Sequence, residues 1–271
     1  MRDTLRGLAN SEFQNYVEDI GQAKPQYKTL SLVHTTDLAR FDTILKKGVL
    51  RPVKTDEFYK ERLLYLFYGR PSYRVNPHIK NTRVSGFAPV CFIFKPEMPW
   101  PAKRVHALDT GAFIHERVDQ FMHPDFSVSD YAVESSEKGA SNIVNAFYDG
   151  PCDYYDCKPS HTLDSEDLAK QRLFRVEAYN ELVRHVPNDG TDERVHAIEI
   201  QTDKPIRLNG NLLAVVIPAR YFDDAQKHEI ESKWKCKIVG YTFKSVFSPV
   251  DLMSLIYDKV REVLLANDQI P

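Results

Sequence analysis

Two short segments gather polar and aromatic groups at what read as strand ends: Val33-His34-Thr35-Thr36 and the run from Leu66 through Tyr68, Gly69, Arg70, Pro71, Ser72 and Tyr73 to Arg74. A histidine at a strand exit, followed by two hydroxyls, offers directional donors and acceptors suited to a ribose or an amide. The second segment sets flat aromatic faces beside a guanidinium. That combination suits a ring to be stacked and a phosphate or carboxylate to be paired, so the two segments together suit a nucleotide. No strand is followed by GxGxxG or GxxxxGKS/T, and glycine numbers only 11, which argues against a glycine-rich phosphate cradle.

The elements that must position these groups follow from pattern. Residues 1–27 read as a short helix and a Pro-containing connector at Lys24 to Tyr27. Leu30 to His34 reads as a strand with Thr35 and Thr36 available as helix caps. Asp37 to Lys47 reads as a helix, with Leu38, Phe41, Ile44 and Leu45 at helical spacing and Gly48 as its stop. Leu63–Tyr68 and Val90–Phe94 read as two strands that pair with each other. From Pro99 to about Gly150 the pattern dissolves into short pieces, so 99–165 is expected to be an insertion or lid, with 151–165 as a polar loop and Glu134 to Asn142 as an acidic, Ser-containing loop. Glu166 to about Val176 reads as a helix entering Ala178 to Val186. Residues 195–201, 212–218 and 236–241 read as strands, Asp223–Lys235 as a charged helix, and Pro249–Leu265 as an amphipathic C-terminal helix. Helices and strands alternate irregularly, which favours an α+β fold of short, mostly antiparallel strands in a single domain over a doubly wound sheet.

Composition narrows the function classes. Lys plus Arg number 36 against 38 Asp plus Glu, a net charge of −2, which removes the basic excess of a dedicated nucleic-acid coat. Basic residues Lys46, Lys47, Arg51, Lys54, Arg70, Arg74 and Lys80 still permit a local basic face. No apolar run approaches a membrane span and the first residues lack a signal-peptide core, so a cytoplasmic chain without a membrane partner is expected. Cys152, Cys157 and His161 have the spacing C-x4-C-x3-H without a second ligand pair of standard spacing, so no metal is expected.

Residues 30–50, LSLVHTTDLARFDTILKKGVL, resemble the opening of DarT-like ADP-ribosyltransferases, in which a strand ends in His-x-Thr and a helix follows. LYLFYGRPSYR, residues 64–74, is similar to that family's aromatic strand leading into an Arg-Ser-Pro turn. Asn180-Glu181-Leu182-Val183 resembles its later strand with a catalytic Glu. The order of His, aromatic with Arg, then Glu is also that of the wider diphtheria-toxin-like branch. Two departures stand out: Asp37 occupies the place of an Asn, and the turn reads Gly-Arg-Pro-Ser. The resemblance covers roughly residues 28–95 and 172–218 in short motifs.

The resemblance implies an ADP-ribosyltransferase-like split sheet around a cleft, with N-terminal, inserted and C-terminal helices. It also implies NAD as substrate, a nucleic-acid or protein acceptor, and a toxin or defence role with an antitoxin or regulatory partner. It further implies that His34 and Thr35 bind the ribose and carboxamide regions of NAD, that Tyr68 or Tyr73 stacks on nicotinamide, that Arg70 is the essential arginine, and that Glu181 is the catalytic carboxylate, with Glu177 as the alternative. Breaking the glycosidic bond builds positive charge on the ribose, which a nearby carboxylate stabilises. Each residue also has a plainer role: His34 as a bonded strand-end histidine, the tyrosines as packing, Arg70 as a solvated turn residue, and Glu181 as a surface carboxylate on a helix over 166–184. A noncatalytic NAD or ADP-ribose binding module and an NAD glycohydrolase are the competing functions.

Overall fold

The computed structural model describes residues 11–24, 27–56, 58–73, 79–185 and 193–271. Of the residues invoked above, 1–10, Pro25, Arg74 and Val186 lie outside the described set. In chain order the elements are α1 (Glu12–Ala23), β1 (Leu32–Asp37), α2 (Leu38–Lys47), β2 (Val49–Leu50), β3 (Lys54–Thr55), β4 (Arg62–Tyr68), β5 (Pro89–Phe94), β6 (Arg104–His106), α3 (Thr110–Ile114), β7 (Ala132–Val133), α4 (Glu137–Phe147), α5 (Pro151–Tyr155), α6 (Ser165–Lys170), α7 (Phe174–Arg184), β8 (Glu199–Thr202), β9 (Ile206–Arg207), β10 (Leu212–Pro218), α8 (Asp224–Trp234), β11 (Lys237–Tyr241) and α9 (Asp251–Leu265). The chain is α+β, as expected. It divides into two compact units, Met1–Thr29 with Ala102–Gln201 and Leu30–Pro101 with Thr202–Pro271.

The second unit is built on a sheet in the order β11-β10-β5-β1-β4. Its pairs are antiparallel except β10 with β11, which run parallel on either side of α8. The expected pairing of β4 with β5 is corrected: β1 lies between them and pairs with both. Three apolar runs of similar character carry nothing local that ranks their order, since strand pairing is a non-local contact. The rings of Phe41 from α2 and Trp234 from α8 close on Phe92 of β5 at 5.7 and 6.0 Å between centroids.

At the start of α2 the cap also differs from expectation. Thr35 and Thr36 continue the strand opposite Cys91 and Val90. Asp37 caps instead, its carboxylate accepting from the Arg40 N–H at 2.8 Å. β-branched side chains extend a strand readily, whereas an Asp at the junction satisfies a helix donor directly. The helix stops as read, at Gly48 in the left-handed region with φ 65 and its N–H on the Ile44 carbonyl.

The first unit packs α1 against α4 and α7 and carries the antiparallel order β8-β6-β7. Its core centres on Phe13, whose ring lies 5.7 Å from Phe147, 5.2 Å from Tyr131 and 5.1 Å from Tyr179. Several expectations fail here. Residues 137–142 are no loop but the first half of α4, capped by the Ser136 hydroxyl accepting from the Gly139 N–H. The supposed polar loop 151–165 contains α5, with Tyr154 and Tyr155 buried. The helix over 166–184 is two helices, α6 and α7, separated at residues 171–173 where Arg172 takes φ 60. In 195–201 only the end is strand, because residues 193–196 form a 3-10 turn.

Helix α1 approaches α4 at Gly21, where a Cβ would stand 2.6 Å from Asn142 Cβ and 2.7 Å from its Cα. Asn145 donates its amide to the Gly21 carbonyl at 3.1 Å, fixing the same crossing. Gly21→Ala must push the helices apart, so despite the better helix propensity of alanine it is expected to lower stability by about 1–3 kcal/mol. Chemical denaturation of the full chain checks this; an unchanged or raised midpoint would show that the crossing can relax.

Candidate ligand site where β1 and β4 part

β1 pairs with β5 along five residues, from Val33 to Asp37. Its register with β4 extends only over Leu32–Tyr68 and Val33–Phe67. Where that ladder ends, a side chain takes over: His34 Nδ1 lies 2.8 Å from the Tyr65 carbonyl oxygen. A carbonyl only accepts, so Nδ1 carries the proton and Nε2 of the neutral ring is left as an acceptor. Burial holds the imidazole below its usual pKa, the Tyr65 carbonyl works against that shift, and Arg40 adds to it. His34 is therefore a neutral, oriented acceptor at the point where two strands part.

The neighbouring groups are held by short bonds. Tyr65 donates its hydroxyl to Asp56 at 2.5 Å, and the other Asp56 oxygen accepts from the Phe58 and Tyr59 N–H groups at 2.9 and 2.6 Å. Tyr73 donates to Asp37 at 3.0 Å, and Asp37 also pairs with Arg40 at 3.3 Å. Burial, then the Asp37 charge, raises the Tyr73 phenol well above its usual range, so it stays a donor. Thr35 faces Cys91 across the ladder; its hydroxyl lies beside the thiol and bonds no nitrogen or oxygen. Burial pushes the Cys91 thiol up to about 12, which leaves it unreactive.

Five of the six sequence-selected residues, His34, Thr35, Tyr68, Arg70 and Tyr73, belong to the second unit. Tyr68 is a core residue: buried, its hydroxyl accepting from the Leu30 N–H at 3.2 Å and its ring 6.4 Å from Trp100. Tyr73, only partly buried, keeps more of its ring accessible. Arg70 is not a solvated turn residue. It is 2% exposed and its guanidinium lies 5.7 Å over the Tyr257 ring of α9.

Glu181 belongs to the first unit and stands on helix α7, not on a strand. It is exposed and accepts from the Ser165 hydroxyl, which in turn accepts from Asn180 Nδ2 at 3.0 Å. These bonds tie α6 to α7. Glu177 sits in the first turn of the same helix.

Sequence reading passed over Glu199. This buried carboxyl on β8 accepts from Thr110 Oγ1 at 2.8 Å, from the Thr110 N–H at 3.2 Å and from Gln201 Nε2 at 2.8 Å. Burial, then the nearby Asp109 charge, pushes its pKa up to about 8. The available signal was Glu199-Ile200-Gln201, two polar residues spaced to share one strand face at the end of an apolar run. Among the described residues no cluster of three His, Cys, Asp or Glu side chains could hold a metal, and no helix is long and apolar enough to cross a membrane. No family model, curated protein or solved structure matches the chain.

Proposed function

We propose that the protein is an NAD-dependent ADP-ribosyltransferase, which cleaves NAD at the nicotinamide glycosidic bond and passes ADP-ribose to a nucleic-acid or protein acceptor. The observation that carries this reading is the parting of β1 from β4 at His34, with a neutral imidazole locked by its Nδ1 proton to Tyr65. Its Nε2 accepts from a ribose hydroxyl or a carboxamide N–H, and Thr35, the next residue of β1, is proposed as a further NAD contact on the sequence resemblance alone. The hydroxyl-anchored Tyr73 offers its ring to nicotinamide, while Arg70 supplies positive charge for the dinucleotide. A carboxylate then stabilises the oxocarbenium-like ribose as nicotinamide leaves. Glu181 is proposed for that role on the sequence resemblance.

Nicotinamide release from labelled NAD tests the assignment. Glu181→Ala is expected to reduce release by about 100-fold or more, and Glu177→Ala to leave it near the parent rate. His34→Ala is expected to weaken NAD binding by about tenfold or more through loss of an oriented acceptor. Full activity in Glu181→Ala removes the carboxylate assignment, and absence of NAD binding by calorimetry removes the whole reading. The position of Glu181 on a helix, bonded to Ser165, favours one second reading, a noncatalytic NAD or ADP-ribose binding module; binding without nicotinamide release would select it. Release without transfer to nucleic acid or protein would select a glycohydrolase.

A further inference from the structure

The turn from Gly69 to Ser72 is buried, although turns ordinarily run over the surface with their polar groups in water. Arg70 is 2% exposed and Ser72 3%. Pro71 between them fixes its own φ and biases Arg70 to extended backbone, and on an extended course residues two apart face the same side. Tyr73, the next residue, is anchored on Asp37, two positions beyond Thr35 on β1. The turn therefore runs beside the parting of β1 and β4.

Ser72 Oγ is buried and has no hydrogen-bond partner. That is not the habit of this unit: the buried hydroxyl of Ser31 accepts from Gln269 Nε2 at 2.9 Å. Buried hydroxyls are nearly always paired, and an exception calls for an absent partner. Thr35 Oγ1, 5% exposed, likewise bonds no nitrogen or oxygen. The unpaired Ser72 hydroxyl thus stands next to Tyr73, which Asp37 anchors, in the same unit as a buried guanidinium. A hydroxyl donor close in sequence to a permanent cation is matched by an anion with several acceptor oxygens, as a phosphoryl group has.

We propose that Ser72 is a ligand-binding residue whose hydroxyl donates to a phosphoryl oxygen of the dinucleotide, with Arg70 supplying charge from the same turn. The proposal rests on the NAD reading and adds a contact which the sequence resemblance does not assign.

Calorimetry on the full chain with NAD, ADP-ribose and the phosphate-free nicotinamide riboside tests it, with thermal unfolding measured in parallel. Ser72→Ala is expected to weaken NAD and ADP-ribose about tenfold and to leave the riboside within about twofold, because only the first two carry the phosphoryl group. Its melting temperature is expected to stay level or rise, since no intramolecular hydrogen bond is removed. Equal weakening of all three ligands would place the hydroxyl at the nucleoside end and overturn the proposal, as would unchanged binding of all three. A marked fall in melting temperature would reveal an internal partner and overturn it too. Failure of the parent protein to bind NAD or ADP-ribose overturns the functional reading together with this contact, whereas parent binding with an unaffected Ser72→Ala overturns this contact alone.

Discussion

Arg175→Leu is expected to lower the unfolding free energy by about 3 kcal/mol, the scale for removing one partner of a buried ion pair. The guanidinium of Arg175 on α7 pairs with Asp130 through Nε at 3.0 Å, reaches Glu12 on α1 at 3.5 Å and lies 4.6 Å over the Phe126 ring. Its backbone N–H donates to the second Glu12 oxygen at 2.8 Å. One side chain thus joins α1, α7 and the turn that begins at Ser127, whose N–H also rests on Asp130 at 2.9 Å. Leucine fills part of the volume but takes the Arg175 guanidinium away from the buried Asp130 carboxylate. Urea titration of the full chain measures the loss. Adding Asp130→Asn should recover part of it, because the buried charge is removed. A single-variant midpoint equal to the parent's would show that the network contributes nothing.

The second large effect is a pH dependence centred on Glu199. Its folded pKa of about 8 stands above the ordinary carboxyl range, so folding takes up a proton wherever the unfolded chain has already lost it. Stability is fully present below the ordinary carboxyl pKa, falls as pH rises through the window up to about 8, and levels off above it. The total is on the order of 5 kcal/mol, because each tenfold gain in proton affinity on folding corresponds to about 1.4 kcal/mol. Glu199→Gln keeps the shape and stays neutral. Its stability relative to the parent should therefore climb between pH 5 and pH 9, about parallel to the parent's own loss. Titrating groups that do not interact with Glu199 cancel in that difference, and Asp109, which does, is the group that stays within it. Parallel curves for parent and variant across the window would remove Glu199 as the cause.

What could be read in advance divides along physical lines. α2 was legible because its signals are local: a periodic apolar face, lysines in the last turn and Gly48 just beyond them. β10 was legible because its run of β-branched residues ends at Pro218, at the bounds observed. α4 does carry a local signal, since Ala140, Ile143, Val144 and Phe147 are buried at helical spacing, but the polar run from Glu134 to Asn142 masked its first half. Strand order was hidden because it depends on partners far apart in the chain.

For the candidate site, the cluster of His34, Thr35, Arg70 and Tyr73 came from residue type at strand ends, and all four fall in one unit. Tyr68 lies in the core and Tyr73 is only partly buried, a difference that alternation in a strand does not reveal. Glu181 was placed on a strand from four residues, too short a run to separate period 2 from period 3.6; the structure puts it on α7. Glu199 went unmarked because its meaning lies in Thr110 and Asp109, some ninety residues earlier.

The second unit is assembled from two stretches that the ribosome delivers far apart in time. β5 pairs on one side with β1, already made, but its other neighbour is β10. All six β5 residues end up buried. Until residues 212–218 emerge, that apolar strand presents an open edge, and the intervening Ala102–Gln201 stretch is committed to the first unit. An unpaired apolar edge invites pairing with another nascent chain. Recovery of native protein should therefore depend on chaperone supply and on chain concentration during synthesis more steeply than the stability of the finished molecule would suggest.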